Sequence, residues 1–571
     1  MKAYNRSRRH RRPAHFPSAQ VFVYAISIAV FLFWILLYPY HLGKIEQSNW
    51  FVFDALYFDS FFLKPGGISA YLGSFVSQFY INVFAGAFLQ TLFFVLVARL
   101  VHKIVALSEG DMRRLCGSLL SSLLFFALQC EQAFTPAYSL AFIFYFTGIY
   151  IYGLIHNRAF RFFAFALLIP VFYLLIGGGL LCGLYSAIAL YEIIRRRGTA
   201  SLLSLILLAG AIYTPHLWKG LYLTPDSDLY SLLPHYPSGR STGAFALMLS
   251  LPFILVMRHL IPLKSQAFSL CVNLVAAAAG LIYFFPSSYN AFREQKFGMY
   301  SAIREAQWDR AISIRTKLKQ SDELTDYMYD LALAAKGELP EKLFDYPRDK
   351  KHSLFLQRNL EQDRMLYGSE FYYRVGLLNE AIHWIAEASA ESGMNIVIMN
   401  RLARWNAEAG YKVADKYYSL LDCTLFYKGL DRPSEEKAPD NGTDTSMLKD
   451  FFIGGRETVS DLARHLDNSP SNRITLDYML CELLIKKDFQ RFSKLFEICY
   501  GYKDGDSLPR AYSEAFMILA ALTQDTGLIN RVSPEVRRAY SEYMQLYQSK
   551  STRQIKDKYS KSLWYHVHFT K

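Results

Sequence analysis

The sequence predicts an all-α protein in two parts: a polytopic transmembrane helix bundle of about nine spans, then an α-solenoid of degenerate helix pairs. Three observations carry this. Apolar segments of spanning length recur as far as residue 285 and then stop. From Pro286 the pattern turns to helical periodicity broken by a recurring turn. The charge divides at the same place. Residues 1–285 hold 21 Lys and Arg against 9 Asp and Glu, whereas residues 286–571 hold 41 against 40. The net charge of +13 therefore sits almost wholly on the apolar half, where it reads as membrane topology and not as a basic surface for nucleic acid. No nucleic-acid partner is expected, and a chain that is 52% hydrophobic is not a disordered one.

Residues 1–19 form a basic cytoplasmic arm with Lys2, Arg6, Arg8, Arg9, Arg11 and Arg12. Val21 to Tyr40 follows without a charge, long enough for one crossing at roughly 1.5 Å per residue. It ends in bulky Tyr38-Pro39-Tyr40 without a small-residue cleavage site, so it reads as an uncleaved first span. Further spans are expected near 76–98, 115–130, 136–155, 159–176, 179–194, 199–215, 242–258 and 266–285. A hairpin turning at Gly177-Gly178-Gly179 puts Arg158, Arg161, Arg195, Arg196 and Arg197 on one side, as a cation-rich cytoplasmic face requires. The transmembrane domain then covers 20–285, with outside loops at 41–70 and 214–241. Of the 21 cations in residues 1–285, 17 fall inside and four outside: Lys44, Lys64, Lys219 and Arg240. An odd span count places the N-terminus in the cytoplasm and the C-terminal domain in the periplasm of an inner membrane.

The helical half divides into a first block at 286–430, a polar loop at 431–446 and a second block at 447–571. Its signature is Gly or a polar residue, an aromatic or Leu, then Ala three residues later. Examples are Trp308…Ala311, Gly376-Leu377-Leu378…Ala381 and Gly410-Tyr411…Ala414, with weaker copies at Gly337-Glu338-Leu339 and Asp488-Phe489. The spacings Trp308 to Leu339 to Leu378 to Tyr411 are 31, 39 and 33 residues. They resemble degenerate tetratricopeptide repeats, whose period is about 34 residues. That resemblance implies a solenoid in which the small Ala admits a neighbouring helix and the aromatic fills the gap. The tail Leu563-Trp564-Tyr565-His566-Val567-His568-Phe569 reads either as a short strand or as a packed aromatic plug. Cys481 and Cys499 are close enough in sequence for a bridge, but no C-x-x-C occurs and the seven cysteines read as small buried hydrophobes.

The whole layout resembles an uncharacterised family of polytopic bacterial membrane proteins with repeat-like C-terminal domains. The residues that carry this are Glu46-Gln47, Lys64-Pro65-Gly66-Gly67 with Tyr71, Gln78-Phe79-Tyr80 and the aromatic terminus. A looser resemblance is to membrane glycosyltransferases of the GT-C superfamily, which carry an acidic residue in the first outside loop. This implies Glu46, Asp54 or Asp59 as the catalytic carboxylate acting on an acceptor hydroxyl. It also implies cationic residues on a polyprenyl-phosphate-linked substrate: Lys64, Lys219 and Arg240, with His235 beside them. No paired Asp-Glu or Asp-Asp accompanies the position. His216, Asp226, Asp228 and His235 lack metal-ligand spacing, and neither a metal nor another cofactor is expected. Uncharged Gln78, Asn82, Gln90 and Asn273 in the spans read as groups that join helices.

Two other functions are compatible with the sequence. One is a membrane-anchored scaffold whose helical repeats bind a protein partner; the other is a transporter of a neutral solute. Membrane lipids are partners in every case.

Overall fold

The computed structural model describes residues 19–62, 64–106, 111–194, 198–220, 229–231, 241–260, 288–346, 348, 353–357, 361–430, 458–502 and 507–570, with 275, 278–280, 282–283 and 285–286. The basic arm, the polar loop 431–446, most of the expected span 266–285, His235 and Arg240 lie outside them. Among the described residues every regular element is a helix. The chain forms two compact units, residues 1–290 and 291–571.

The first unit runs α1 (Ala19–Leu36), α2 (Pro39–Gln47), α3 (Ala55–Phe61), α4 (Gly67–Ser77), a 3-10 turn (Gln78–Ile81), α5 (Val83–Ala106), α6 (Asp111–Gln129), α7 (Pro136–Leu154), α8 (Arg158–Leu167), α9 (Ile169–Ile194), α10 (Gly198–Lys219) and α11 (Ser241–Leu260). Among the described residues four helices are long and apolar enough to cross a bilayer by length and composition: Val83–Val105, Pro136–Leu154, Gly198–Lys219 and Ile169–Ile194, the last of them broken at Gly177. A fifth counts if the bent pair Ala25–Leu36 and Pro39–Gln47 is one span. Among the described residues the expected nine are therefore not reached. Among the described residues α6 and α11 supply only the shorter apolar stretches Leu120–Gln129 and Thr242–Val256, and α8 has ten residues.

Local chemistry explains the shifted boundaries. The first span breaks by 71° because Tyr38 leaves the helix and Pro39, which has no N–H to donate, restarts it. The span expected at 76–98 begins at Val83, where the Asn82 side-chain Oδ1 caps the new helix by accepting from the Phe84 and Ala85 N–H groups. The outside loop expected from residue 41 is largely helical, and α10 carries His216 and Lys219 in its last turn instead of leaving them in a loop.

The expected hairpin at Gly177 has a direct signature. Gly177 sits at φ 76°, ψ 178°, outside helical geometry and in a region that favours glycine. Arg161 pairs with Glu192 at 2.6 Å, Tyr185 Oη donates to the Phe165 carbonyl at 2.6 Å, and Phe172 and Leu184 both pack on Gly148. These partners converge on residue 177, so 158–176 and 178–194 run side by side in opposite directions. Carbonyls released by the break find other donors: Gly66 N–H donates to Tyr173 O at 3.0 Å and Ser69 Oγ to Leu175 O at 2.5 Å. Gly179 N–H donates to Ser231 O at 3.1 Å. A Cβ on Gly178 would lie 2.0 Å from the Leu229 carbonyl oxygen.

The second unit is built from helix hairpins that share one turn. Ala306, Gly337, Gly376, Gly410 and Lys487 all adopt positive φ, between 53° and 87°. At each, the following N–H reaches back to a carbonyl five residues earlier: Gln307 to Ala302, Glu338 to Leu333, Leu377 to Tyr372, Tyr411 to Asn406 and Asp488 to Leu483, at 2.8–2.9 Å. This is the Schellman helix stop, and it is the physical content of the recurring sequence pattern. The pattern's alanines, Ala311, Ala381 and Ala414, are buried where the paired helices meet. The hairpins do not stack as a simple one-dimensional solenoid. Helix 323–335 packs on 362–374 and also on 473–485, and the chain end returns to the middle of the unit.

That end is a helix, Leu563–Phe569, and so a plug and not a strand. Trp564 Nε1 donates to Glu514 O, His566 contacts the Arg348 and Ile485 carbonyls, and Lys487 Nζ donates to the Val567 and Thr570 carbonyls. Cys481 and Cys499 are both free thiols; Cys481 is buried beside Tyr512.

Candidate functional site

The break in the first span concentrates the buried polar groups of the membrane unit. Its short second arm, α2, buries His41, Lys44, Glu46 and Gln47, each 8% exposed or less. The ends of α5 and α6 supply the other wall. His41 Nε2 lies 3.1 Å from the Gln129 carbonyl, Gln129 donates its side-chain amide to both oxygens of Gln90, and Tyr38 Oη donates to Cys130 O. Ser288 Oγ donates to Glu131 at 3.0 Å. Around them stands an aromatic shell: Trp34 and Tyr38 stack on His41 at 5.9 and 4.7 Å, and Tyr289 lies 5.2 Å from Tyr38. Ionisable and amide side chains are costly in such a setting and are kept where they serve a purpose.

The structure separates the three carboxylates that the sequence nominates. Glu46 is 5% exposed. Asp54 is exposed and caps α3, its carboxylate accepting from the Tyr57 N–H at 3.2 Å. Asp59 lies exposed on the same short helix. Lys64 and Lys219 are exposed as well. No described contact brings Asp54, Asp59 and Lys64 together.

The stretch between Glu46 and Lys64 is an aromatic platform. Phe51 packs on Phe53, Tyr57, Tyr71 and Phe75, and Tyr57 Oη donates to Trp50 O at 2.7 Å. Burial pushes the Tyr57 phenol up to about 12. Phe53, Leu56, Phe58 and Phe62 are exposed.

His41, Gln129, Trp34 and Tyr80 were not nominated by the sequence as site residues. The available signal was weak: a histidine two residues after a helix-breaking proline, and a glutamine at the end of an apolar run. Gln90 does join helices, through Gln129. Among the described residues no group of His, Cys, Asp or Glu has the arrangement of a metal site.

A profile described as a family of unknown function, DUF6057, matches residues 14–570. The chain belongs to this family. The DUF6057 match runs through both units, so the membrane unit and the helical unit are parts of one family architecture. It carries the full-length resemblance, and neither the GT-C nor the tetratricopeptide one. No curated protein and no solved structure matches the chain.

Proposed function

We propose that the protein is a GT-C-like transferase that moves a sugar from a lipid-phosphate carrier at the outer face of a bacterial inner membrane, with Glu46 as its catalytic carboxylate. The observation that carries this reading is Glu46 itself: a carboxylate buried on the arm that breaks the first span, beside buried Lys44 and His41. Glu46 takes the proton from an acceptor hydroxyl as that oxygen bonds to the sugar's anomeric carbon. The bond from that carbon to the carrier phosphate breaks, and the lipid phosphate leaves with its electron pair. Lys44 is placed to offset the phosphate charge, a role the exposed Lys64 and Lys219 suit less well.

The topology proposed with this reading has the N-terminus in the cytoplasm and residues 291–571 in the periplasm. It draws support from which segment ends touch. Gly66 and Ser69 meet Tyr173 and Leu175, and Leu229 and Ser231 meet Gly178 and Gly179, so both outside loops touch the end of the 159–194 hairpin assigned to the same side. Arg161, Glu192 and Ser201 meet on the side assigned inside.

The test is transfer of labelled sugar from a panel of polyprenyl-phosphate hexoses by membranes containing the wild type or E46Q. Activity that E46Q abolishes at equal protein level supports the reading, and D54N and D59N should keep it. No transfer from any donor, or full activity in E46Q, rejects it. In that event a scaffold is the better reading. It is favoured by a cleft of about 1070 Å³ in the second unit, walled by Tyr502, Arg531, Arg538, Glu542 and Trp564.

A further inference from the structure

Four side chains around His41 are fully buried yet each has a polar atom with no hydrogen-bond partner: Trp34 Nε1, Tyr80 Oη, Gln90 Nε2 and Gln129 Oε1. They belong to one neighbourhood. Trp34 stacks on His41, His41 contacts the Gln129 carbonyl, and Gln129 bonds Gln90. Tyr80 is tied in through Gly86, one helical turn before Gln90. A Cβ there would lie 3.3 Å from both the Tyr80 ring and Leu42, the residue after His41.

The set is three donors (an indole N–H, a phenol O–H and an amide NH₂) and one amide acceptor. Each orphaned group costs roughly 1–3 kcal/mol when buried, so four in one neighbourhood is a large penalty for packing alone to leave unrelieved. Tyr80 would have been cheaper as phenylalanine.

We propose that Trp34, Tyr80, Gln90 and Gln129 form a binding subsite for a phosphate-linked sugar headgroup. Phosphate and hydroxyl oxygens accept from the three donors, and one sugar hydroxyl donates to Gln129 Oε1. The aromatic faces of Trp34 and Tyr38 suit a sugar ring, since its C–H bonds pack on π-faces while its hydroxyls need polar partners at the rim. This rests on the transferase reading and deepens it by naming the substrate's subsite. The residues bind; Glu46 does the chemistry.

The experiment uses the full-length protein in detergent, with thermal stability read with and without a short-chain polyprenyl-phosphate hexose. Y80F removes an orphaned atom and leaves the ring, whereas W34F removes the indole N–H together with part of the ring. Y80F should be as stable as the wild type, or more so, without the compound; W34F should be less stable because it leaves a cavity at a fully buried site. Both should lose most of the stabilisation it gives, with a rise of at least tenfold in apparent Kd. Glucose alone and inorganic phosphate serve as separate probes; binding of the linked compound well above either places both halves of the headgroup in the subsite.

If the wild type transfers sugar but Y80F and W34F bind as it does, the subsite is wrong and the transferase reading stands. If Y80F loses stability without the compound, the hydroxyl has a structural partner and the subsite is again rejected. If the wild type neither binds nor transfers, both readings fail.

Discussion

The two units differ in where buried polarity goes unmatched. In residues 291–571 buried ionised groups are matched. Arg348 clasps Asp330 with both guanidinium arms, and Arg401 holds Glu370 while also donating to the Leu366 carbonyl. Glu482 accepts from the Leu354 N–H, Ser353 and Lys486, each at 2.8–2.9 Å. Asp477 accepts from Tyr512 and Arg473. The Tyr367 and Tyr478 hydroxyls, Thr475 Oγ1 and Arg374 Nε are among the atoms that go unbonded there. In the membrane unit Arg161 and Glu192 are matched, Ser139 Oγ and Trp218 Nε1 go unbonded elsewhere, and four orphaned groups gather near the break in the first span. Matched polarity fixes a fold. Unmatched polarity held in one neighbourhood is what a binding site has before its ligand arrives.

The sharpest way to break this comparison is to unmatch a pair. Arg348 and Asp330 are both more than nine-tenths buried, so Arg348→Ala leaves a carboxylate with no counter-charge. The expected loss is about 3–5 kcal/mol. Burial already pushes the Asp330 carboxyl above its ordinary range even with Arg348 beside it. Denaturant unfolding of the full chain, followed by signals from the helical unit, measures the loss. Replacing the pair together, as R348M with D330L, should restore much of the stability. A single R348A variant as stable as the wild type would mean that the pair is ornamental and the contrast between units empty.

A smaller effect is expected from Gly178→Ala. The new methyl would meet a backbone oxygen, which cannot step aside as a side-chain end can, so the cost should reach at least the ~1–3 kcal/mol of core overpacking. Gly198→Ala, where nothing lies within 4 Å, is the control. Thermal stability in detergent should fall for the first and stay unchanged for the second.

The sequence made the hairpin at Gly177 legible because charge bias required Arg158 and Arg161 to share a side with Arg195. It made the helix pairs legible because a positive-φ turn every thirty-odd residues leaves Gly and a following large residue in the text. The span count was less legible. An apolar run has the same composition whether it is one straight helix or is broken at Pro39, so hydropathy alone cannot see the 71° bend. The site was the least legible part. Glu46 was visible as an acid after the first span. His41, Gln90 and Gln129 come together only through the packing of α2, α5 and α6, and no spacing rule links residues 41, 90 and 129. The chain-end helix was open to two readings because Trp564, His566 and His568 recur at a strand's period of two yet sit within two turns of a helix.

The smallest expected effect concerns that plug, and its sign separates two physical pictures. Both His566 ring nitrogens face carbonyl oxygens, Arg348 O at 3.0 Å and Ile485 O at 2.9 Å. Those bonds alone favour an imidazolium that donates twice. Burial opposes the charge, and the Lys487 ammonium and the Arg348 guanidinium nearby oppose it further. The His566 pKa is therefore held below the ordinary histidine range, burial being the largest cause. Phe344 and Thr570 complete the surroundings and carry no charge; Thr570 Oγ1 lies 2.9 Å from Nδ1 and is able to donate to it in the neutral ring. With the folded pKa depressed, the unfolded chain takes up the proton first as the pH falls. The contribution of His566 is then fully present above about pH 6.5 and is lost as the pH drops through the folded pKa. The buried carboxyls titrate too, so the quantity to measure is the stability of the wild type minus that of H566Q. This difference should be largest at pH 8 and shrink toward pH 5, by a few degrees in Tm at most. A difference that grows on acidification would mean that the two carbonyls win over burial and that the plug is held by a buried charge. Its matching would then come from backbone oxygens instead of a carboxylate.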